Sequence, residues 1–249
     1  MIRLILILIC AILITIVTAF LFPFTRLVGL FNRYKRDMIC LKFVQTSLRI
    51  TKFLAGAKVE YVGLENLPKK GEPVVYISNH RGFMDIIATY PVLPDRTGFV
   101  AKKEMEHWPL ISWWMDSVYC LFLDRKNSRE GIKAILQGVK YIEQGISMWI
   151  FPEGTRSKVE GEMLPFKHGS FKLATKPGVP IVPVAINGAG LLFDDHIPII
   201  KGGPVRIEFL EPIPTKDLTT EEKEALPDRV HELIASHVKN CTNGLPPMI

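Results

Sequence analysis

The most apolar stretch of the chain lies near its N-terminus, where Leu4–Phe22 contains nineteen consecutive residues without a charged side chain. Because an α-helix rises ~1.5 Å per residue, this stretch predicts a helix about 28 Å long, close to the ~30 Å hydrocarbon thickness of a bilayer. A core helix of a globular domain is rarely apolar on every face. The pattern therefore predicts a membrane-inserted helix that ends at Pro23.

A second helical pattern runs from Leu30 to Ala55 and has two different faces. Basic side chains recur on one face every seven residues, at Lys35, Lys42 and Arg49. Apolar side chains recur at helical spacing on another face: Phe31, Tyr34, Met38, Leu41 and Leu48. Such a helix either packs against a globular domain or lies in the headgroup layer of a membrane, and we favour the headgroup layer. The pattern allows the first helix to span the bilayer or to dip into one leaflet.

From Lys58 onward, short apolar runs rich in β-branched residues alternate with helical patterns. The predicted strands are Lys58–Val62, Val74–Ser78, Gly98–Ala101, Val118–Leu123, Ser147–Phe151, Ile181–Asn187 and Val205–Leu210. The predicted helices are Met84–Tyr90, Leu110–Asp116, Arg129–Gln144, Phe166–Thr175 and Thr220–Lys239. This alternation is typical of an α/β fold whose helices cover the faces of a sheet. We therefore predict an α/β domain over residues 57–249, with a mostly parallel or mixed sheet of about seven strands, preceded by a two-helix membrane anchor over residues 1–56.

The net charge of +6 is concentrated beside the apolar stretch. Residues 26–52 contain seven Lys and Arg side chains and a single acid, Asp37, whereas the chain from residue 53 onward is close to neutral. Basic clusters beside a membrane segment bind anionic headgroups, with ~1 kcal/mol per residue. No groove-sized patch interleaves aromatic and basic residues, so we expect a phospholipid membrane as the partner and no nucleic acid.

The same charges predict which side of the membrane the domain occupies. Arg3 precedes the apolar stretch and the basic cluster follows it, which holds the following domain in the cytoplasm. No Ala-x-Ala cleavage site follows the stretch, which argues against a signal peptide. The four cysteines are scattered without Cys-x-x-Cys or metal-ligand spacing, so we expect reduced thiols and no metal. We expect a cell-membrane protein with its α/β domain on the cytoplasmic side.

A candidate proton-transfer pair follows the second predicted strand, where His80 precedes Asp85 by five residues. On a continuous helix these residues would be ~140° apart, so they can meet only across a turn, which Gly82 permits. Asp85 would then fix the imidazole tautomer and leave the other ring nitrogen to accept a proton. Taken alone, such a pair is more often a surface histidine near an unrelated aspartate.

Two further strand ends carry polar side chains. Leu121-Phe122-Leu123-Asp124-Arg125 closes one strand, and Phe151-Pro152-Glu153-Gly154-Thr155-Arg156-Ser157 follows another. A planar guanidinium, hydroxyl groups and exposed backbone N–H groups together suit a phosphate monoester. Either block alone could be an ordinary turn with a salt bridge, but α/β sheets place their ligands beyond the carboxyl ends of their strands.

In chain order, these blocks resemble the four-part signature of the glycerolipid acyltransferase family. The matching text is Asn79-His80-x4-Asp85, Phe122-Leu123-Asp124-Arg125, Phe151-Pro152-Glu153-Gly154-Thr155-Arg156 and Val182-Pro183-Val184. Within the family the chain is most similar to the bacterial 1-acyl-sn-glycerol-3-phosphate acyltransferases, and the resemblance covers about residues 58–212. The family often reads Asn-His-Gln-Ser in its first block, whereas Arg81 and Gly82 follow His80 here.

The resemblance implies a reaction and a role for each block. His80 would be the catalytic base, Asp85 its orienting partner, and the third block the site of the acceptor's phosphate. We predict a substrate-binding set of Lys102, Arg125, Glu153, Gly154, Thr155 and Arg156. Within it, Arg125, Arg156 and Lys102 would contact the phosphate, while Glu153 and Thr155 would shape the turn. The expected reaction moves a fatty acyl group from acyl-coenzyme A or acyl carrier protein to the sn-2 hydroxyl of lysophosphatidic acid, without a cofactor or a metal.

Three other functions remain open on the sequence alone. The same chemistry could act on glycerol 3-phosphate or another lysolipid, which a panel of acceptors would reveal. A thioester hydrolase would release thiol without any lipid acceptor, and a lipid-binding protein would tolerate changes at His80 and Asp85. The chain contains no Gly-x-Ser-x-Gly elbow, so the sequence does not favour a covalent acyl-serine intermediate.

Overall fold

The computed structural model describes residues 2–124 and 127–238. Its helices are α1 (Ile2–Phe31), α2 (Arg33–Ala55), α3 (Phe83–Thr89), α4 (Ile111–Ser117), α5 (Ser128–Glu143), α6 (Lys172–Thr175) and α7 (Thr220–His237). Its strands are β1 (Ala57–Val62), β2 (Val75–Ser78), β3 (Thr97–Lys102), β4 (Leu121–Leu123), β5 (Ser147–Ile150), β6 (Ile181–Asn187) and β7 (Gly203–Phe209). All seven predicted strands are present, and short 3-10 turns join several of the elements.

The first helix is longer than the sequence predicted. The predicted end at Pro23 is wrong, because α1 continues through this proline to Phe31. A proline inside a helix removes one hydrogen bond and costs ~3 kcal/mol. Contacts on both sides of it offset this cost: the Phe22 ring stacks 5.2 Å from the Trp113 ring of α4, and the Thr25 hydroxyl donates to the Phe22 carbonyl at 2.7 Å.

Helices α1 and α2 form an antiparallel pair joined at Asn32. The Asn32 side chain caps α2 by accepting from the Lys35 backbone N–H at 2.9 Å, and Gly56 ends α2 in the left-handed conformation. The Arg3 guanidinium at the start of α1 lies against Gly56, so the far ends of the two helices also meet. Within the described part of the chain, α1 is the one helix long and apolar enough to cross a membrane.

Helix α2 packs against the α/β domain, as in the alternative interpretation of its sequence pattern. The Gln45 amide donates to the Leu93 carbonyl at 2.8 Å, and Arg49 donates to the Pro91 carbonyl at 2.7 Å. Leu41 is buried, whereas Lys35 and Lys42 are exposed. Lys35 and Lys42 therefore stay available to an anionic surface, whereas Arg49 of the same basic face helps to hold the helix pair on the domain.

Asp37 is the buried charge at this junction, and its replacement by alanine is expected to destabilise the protein. The Tyr119 hydroxyl donates to Asp37 at 2.6 Å and the Arg36 Nε donates to it at 2.9 Å. Removing the carboxylate leaves the partly buried Arg36 and the Tyr119 hydroxyl without their partner, so we expect the free energy of unfolding to fall by about 3 kcal/mol. Denaturant unfolding of the purified protein in detergent measures this loss.

Asp116→Ala is the matched control for that experiment. The Asp116 carboxylate is 68% exposed and lies 3.8 Å from Arg26, so its loss should change the free energy of unfolding by less than about 0.5 kcal/mol. Equal losses for the two variants would contradict a specific role of Asp37 in holding α2 on the domain.

The seven strands form one mixed sheet in the order β1-β7-β6-β2-β5-β3-β4. All neighbouring pairs are parallel except β6 and β7. Tyr76 and Ile77, consecutive residues of β2, are both fully buried and belong to the cores on opposite faces of the sheet. Because β2 to β6 all run parallel, their carboxyl ends meet at one edge, and the polar blocks follow these ends.

Candidate active site

His80 and Asp85 meet across the turn between β2 and α3. The His80 Nδ1 lies 2.7 Å from the Asp85 Oδ2, which also accepts the backbone N–H groups of Arg81 at 2.7 Å and Gly82 at 2.9 Å. Asp85 is fully buried, so it is held in place by three contacts on one oxygen. With Nδ1–H donating to the carboxylate, the neutral imidazole carries its lone pair on Nε2.

The His80 ring is also fixed from its face and its backbone. It stacks on the Phe151 ring with centroids 4.1 Å apart, and the His80 carbonyl accepts the Ser157 N–H at 2.9 Å. Only 11% of the side chain is exposed. These contacts hold the His80 imidazole in a single orientation at the sheet edge, as a proton-transfer group requires.

Glu153 lies beneath this turn and does not line the cavity described below. Its Oε1 accepts the His80 backbone N–H at 2.8 Å, and its Oε2 accepts the Leu164 N–H at 2.9 Å. Gly154 follows in the left-handed conformation at φ +71°, where an added Cβ would also lie 2.7 Å from the Lys167 Nζ. These two predicted substrate-binding residues therefore shape the turn between the first and third blocks.

The buried Glu153 carboxyl makes the stability of the protein depend on pH. Burial raises the pKa of Glu153 to about 7, although the two N–H donors oppose this shift. Because the folded protein then holds this proton over a range where the unfolded chain has lost it, stability falls as pH rises from about 4.5 to about 7. The contribution amounts to roughly 3 kcal/mol.

Glu153→Gln is expected to remove this component. The amide keeps the size of the side chain and does not titrate, so the stability difference between variant and wild type should shift toward the variant as pH rises from about 4.5 to about 7. Denaturant unfolding at closely spaced pH values measures it. A difference that is flat across this range would contradict a raised pKa at Glu153.

Arg156 and Lys102 both line the cavity, together with Thr155 and His80. The Arg156 guanidinium lies 4.2 Å above the Phe83 ring and pairs with Asp194 at 3.1 Å. Lys102 is exposed and pairs with Glu104 at 2.9 Å. The structure thus brings four predicted site residues to one cavity, whereas Arg125 lies outside the described residues.

Arg81 belongs to a buried network that the sequence analysis did not find. Its side chain is 3% exposed, and its Nε donates to Glu160 at 3.0 Å. Its Nη2 donates to Asp195 at 2.8 Å, and its Nη1 donates to the Ser157 carbonyl. Arg81 therefore ties together the first block, the third block and the segment after β6. The sequence feature that could have indicated this network is the pair of consecutive acids at 194–195, which follows the strand end at Asn187.

A cavity of about 920 Å³ connects the polar edge of the sheet with the helix pair. Its polar lining includes His80, Lys102, Thr155, Arg156, Lys158 and Asp194. Its apolar lining includes Ile14 of α1, Phe43 and Val44 of α2, and Ile111, Trp114 and Met115 of α4. A volume of this size suits a ligand with one polar end and one long apolar part. Within the described residues, no group of three His, Cys, Asp or Glu side chains could hold a metal ion.

Comparison with known proteins shows which family the chain belongs to. The family model described as Acyltransferase matches residues 58–187. The chain is 33% identical over 202 residues to the 1-acyl-sn-glycerol-3-phosphate acyltransferase of Saccharomyces cerevisiae, covering 80% of this chain and 65% of that protein. It is 32% identical over 214 residues to the human 1-acyl-sn-glycerol-3-phosphate acyltransferase alpha, covering 84% of this chain and 74% of that protein.

A solved structure extends the similarity to the N-terminal helices. The 1-acyl-sn-glycerophosphate (LPA) acyltransferase PlsC from Thermotoga maritima superimposes with a TM-score of 0.77 at 27% sequence identity. The match covers 95% of each chain, so it includes the helix pair as well as the α/β domain. The matched region spans a little under two thirds of the yeast relative's length.

Proposed function

Since the chain belongs to the acyltransferase family, we propose that it transfers a fatty acyl group from an acyl thioester to the sn-2 hydroxyl of 1-acyl-glycerol 3-phosphate, giving phosphatidic acid. The observation that carries this proposal is the His80–Asp85 pair at the polar end of a cavity that continues between apolar helices. The names of the relatives and of the solved neighbour support the same acceptor.

In the proposed mechanism, His80 Nε2 removes the proton from the acceptor hydroxyl as its oxygen attacks the thioester carbonyl. The new C–O bond gives a tetrahedral oxyanion, whose collapse breaks the C–S bond and expels a thiolate, and the His80 imidazolium then gives its proton to this thiolate. A thiol that resembles cysteine has a pKa of ~8.5, so it leaves with little proton assistance. Asp85 stabilises the imidazolium while the proton is held, and no covalent intermediate or metal is required.

The two ends of the cavity would bind different parts of the substrate. We assign the phosphate of the acceptor to Arg156, whose planar guanidinium can bind two phosphate oxygens, and to Lys102 and Thr155, which line the same cavity. The acyl chains would lie among Phe43, Trp114 and the other apolar lining residues. The donor is an acyl-coenzyme A or an acyl carrier protein.

We propose that the helix pair places the cavity in the cytoplasmic leaflet rather than carrying α1 across the bilayer. Trp114 Nε1 donates to the Thr18 hydroxyl near the middle of α1 at 3.0 Å, so α4 would follow a spanning α1 into the hydrocarbon. The exposed Asp116 of α4 would then enter the hydrocarbon, at a cost of several kcal/mol. A helix lying along one leaflet avoids this cost.

The test measures thiol release from a long-chain acyl-coenzyme A by the wild-type protein, with and without lysophosphatidic acid. Release that depends on lysophosphatidic acid and yields phosphatidic acid is the expected result. A panel containing glycerol 3-phosphate and other lysolipids ranks the acceptors. Release of thiol without any acceptor would make the protein a hydrolase. An acyl group on acyl carrier protein is tested in parallel, because a protein that uses only this donor would release no thiol from acyl-coenzyme A.

A further inference from the structure

Asp194 occupies an unusual position for an acid, inside the cavity and beside the proposed phosphate ligand. Its Oδ1 lies 3.1 Å from Arg156 Nη1, and its Oδ2 accepts the Phe83 backbone N–H at 3.1 Å. The side chain is 8% exposed. Burial raises the pKa of Asp194, while Arg156 opposes this shift. Asp194 and Arg156, the proposed phosphate ligand, thus form an ion pair with each other.

The space for this carboxylate exists because residue 82 has no side chain. A Cβ on Gly82 would lie 1.8 Å from the Asp194 Oδ2. The backbone at Gly82 is extended at φ 178°, a conformation open to any residue, so the glycine is required by space and not by its backbone. Gly82 is also where this chain departs from the serine common in its family.

We propose that Asp194 is a stand-in for the acceptor's phosphate, which must displace it from Arg156, so that the site binds only an anion that interacts with Arg156 more strongly than this carboxylate does. The inference rests on the proposed function for the identity of the acceptor. Arg156 and Asp194 attract each other, so an incoming anion gains only the difference between its own interaction and the one it replaces.

This exchange favours an acceptor with high charge. A phosphate monoester carries about −1.5 to −2 charges near neutral pH and offers three terminal oxygens, so it can outcompete a single carboxylate. A phosphodiester carries one charge and two terminal oxygens, which only matches the carboxylate. The adjacent Asp195 stays on Arg81 at 2.8 Å and keeps the segment near the site while Asp194 moves.

Asp194→Asn tests the charge without changing the size of the side chain. We expect the Kd for glycerol 3-phosphate, measured by titration calorimetry, to fall about tenfold because no carboxylate competes for Arg156. The Kd for a diester, glycerophosphoglycerol, should fall by a similar factor, because both ligands displace the same carboxylate. In acyl transfer, the KM for lysophosphatidic acid should fall while kcat stays within about threefold.

Glu130→Gln is the control, because it removes one negative charge from an exposed pair with Lys133 on α5. It should leave both Kd values unchanged. In the wild type, glycerol 3-phosphate should speed amide hydrogen exchange in residues 193–196 as Asp194 leaves Arg156.

The inference is overturned if Asp194→Asn weakens or does not change the binding of glycerol 3-phosphate, because Asp194 would then hold Arg156 in its binding position. It is also overturned if the wild-type segment exchanges more slowly with the ligand. Calorimetry does not depend on turnover, so a protein that binds glycerol 3-phosphate as expected but transfers no acyl group would refute the proposed function alone.

Discussion

Replacing His80 with alanine is expected to lower kcat for acyl transfer by about a thousandfold. The imidazole is the group that would take the proton of the acceptor hydroxyl, and its Nδ1 is committed to Asp85 at 2.7 Å. The proposed phosphate ligands Arg156 and Lys102 remain in this variant, so the KM for lysophosphatidic acid should change by less than about fivefold. Steady-state kinetics with acyl-coenzyme A and lysophosphatidic acid measure both quantities.

His168→Ala provides the matched control for the loss of a histidine. The His168 side chain is 62% exposed and lies 3.9 Å from Asp228, away from the lining of the cavity. We expect this variant to keep wild-type kcat. If His80→Ala retained a near-wild-type rate while folded, His80 would not be the base, and a lipid-binding role would gain support.

The sheet could be predicted because its strands are short, apolar and separated by turn residues. β6 was predicted with its observed bounds, Ile181–Asn187, because the apolar run is bounded by Pro180 and Gly188. All seven of its residues are buried in the structure. The α/β class followed from the alternation of such runs with helices. The end of α1 could not be predicted, because aromatic contacts with α4 allow the helix to pass through Pro23.

The candidate site was predictable where its partners are close in sequence. His80 and Asp85 are five residues apart, and one turn brings them together. Asp194 lies 111 residues from its contact at Phe83, and Glu160 lies 79 residues from Arg81. Such contacts depend on how the loops after β2, β5 and β6 fold over one edge of the sheet. Hydrophobic periodicity predicts helices and strands but not these contacts between distant loops.

The departure from the family text in the first block has a structural explanation in these long-range contacts. Arg81 is accommodated because Glu160 and Asp195 both pair with it inside the protein. Gly82 is accommodated because the Asp194 carboxylate fills the space of its missing side chain. Both residues therefore connect the first block to the segment after β6, beside the His80–Asp85 pair.

Asp85→Asn is expected to lower kcat by roughly a hundredfold or more while leaving the fold in place. The amide oxygen can keep the position of Oδ2 and accept from His80, Arg81 and Gly82. The amide nitrogen then takes the position of Oδ1, which is buried without a hydrogen-bond partner. The variant therefore removes the negative charge that stabilises the imidazolium and changes little else at the turn.

Kinetics separate this charge effect from a general loss of structure. The KM for lysophosphatidic acid should stay within about threefold of wild type, because Arg156 and Lys102 are untouched. Burying the unpaired amide should cost about 1–3 kcal/mol in the free energy of unfolding, which denaturant unfolding measures. Asp116→Asn, at an exposed carboxylate, should leave kcat and stability unchanged. If Asp85→Asn kept wild-type kcat, Asp85 would hold the turn through its backbone contacts alone, and the imidazolium would need no buried counter-charge.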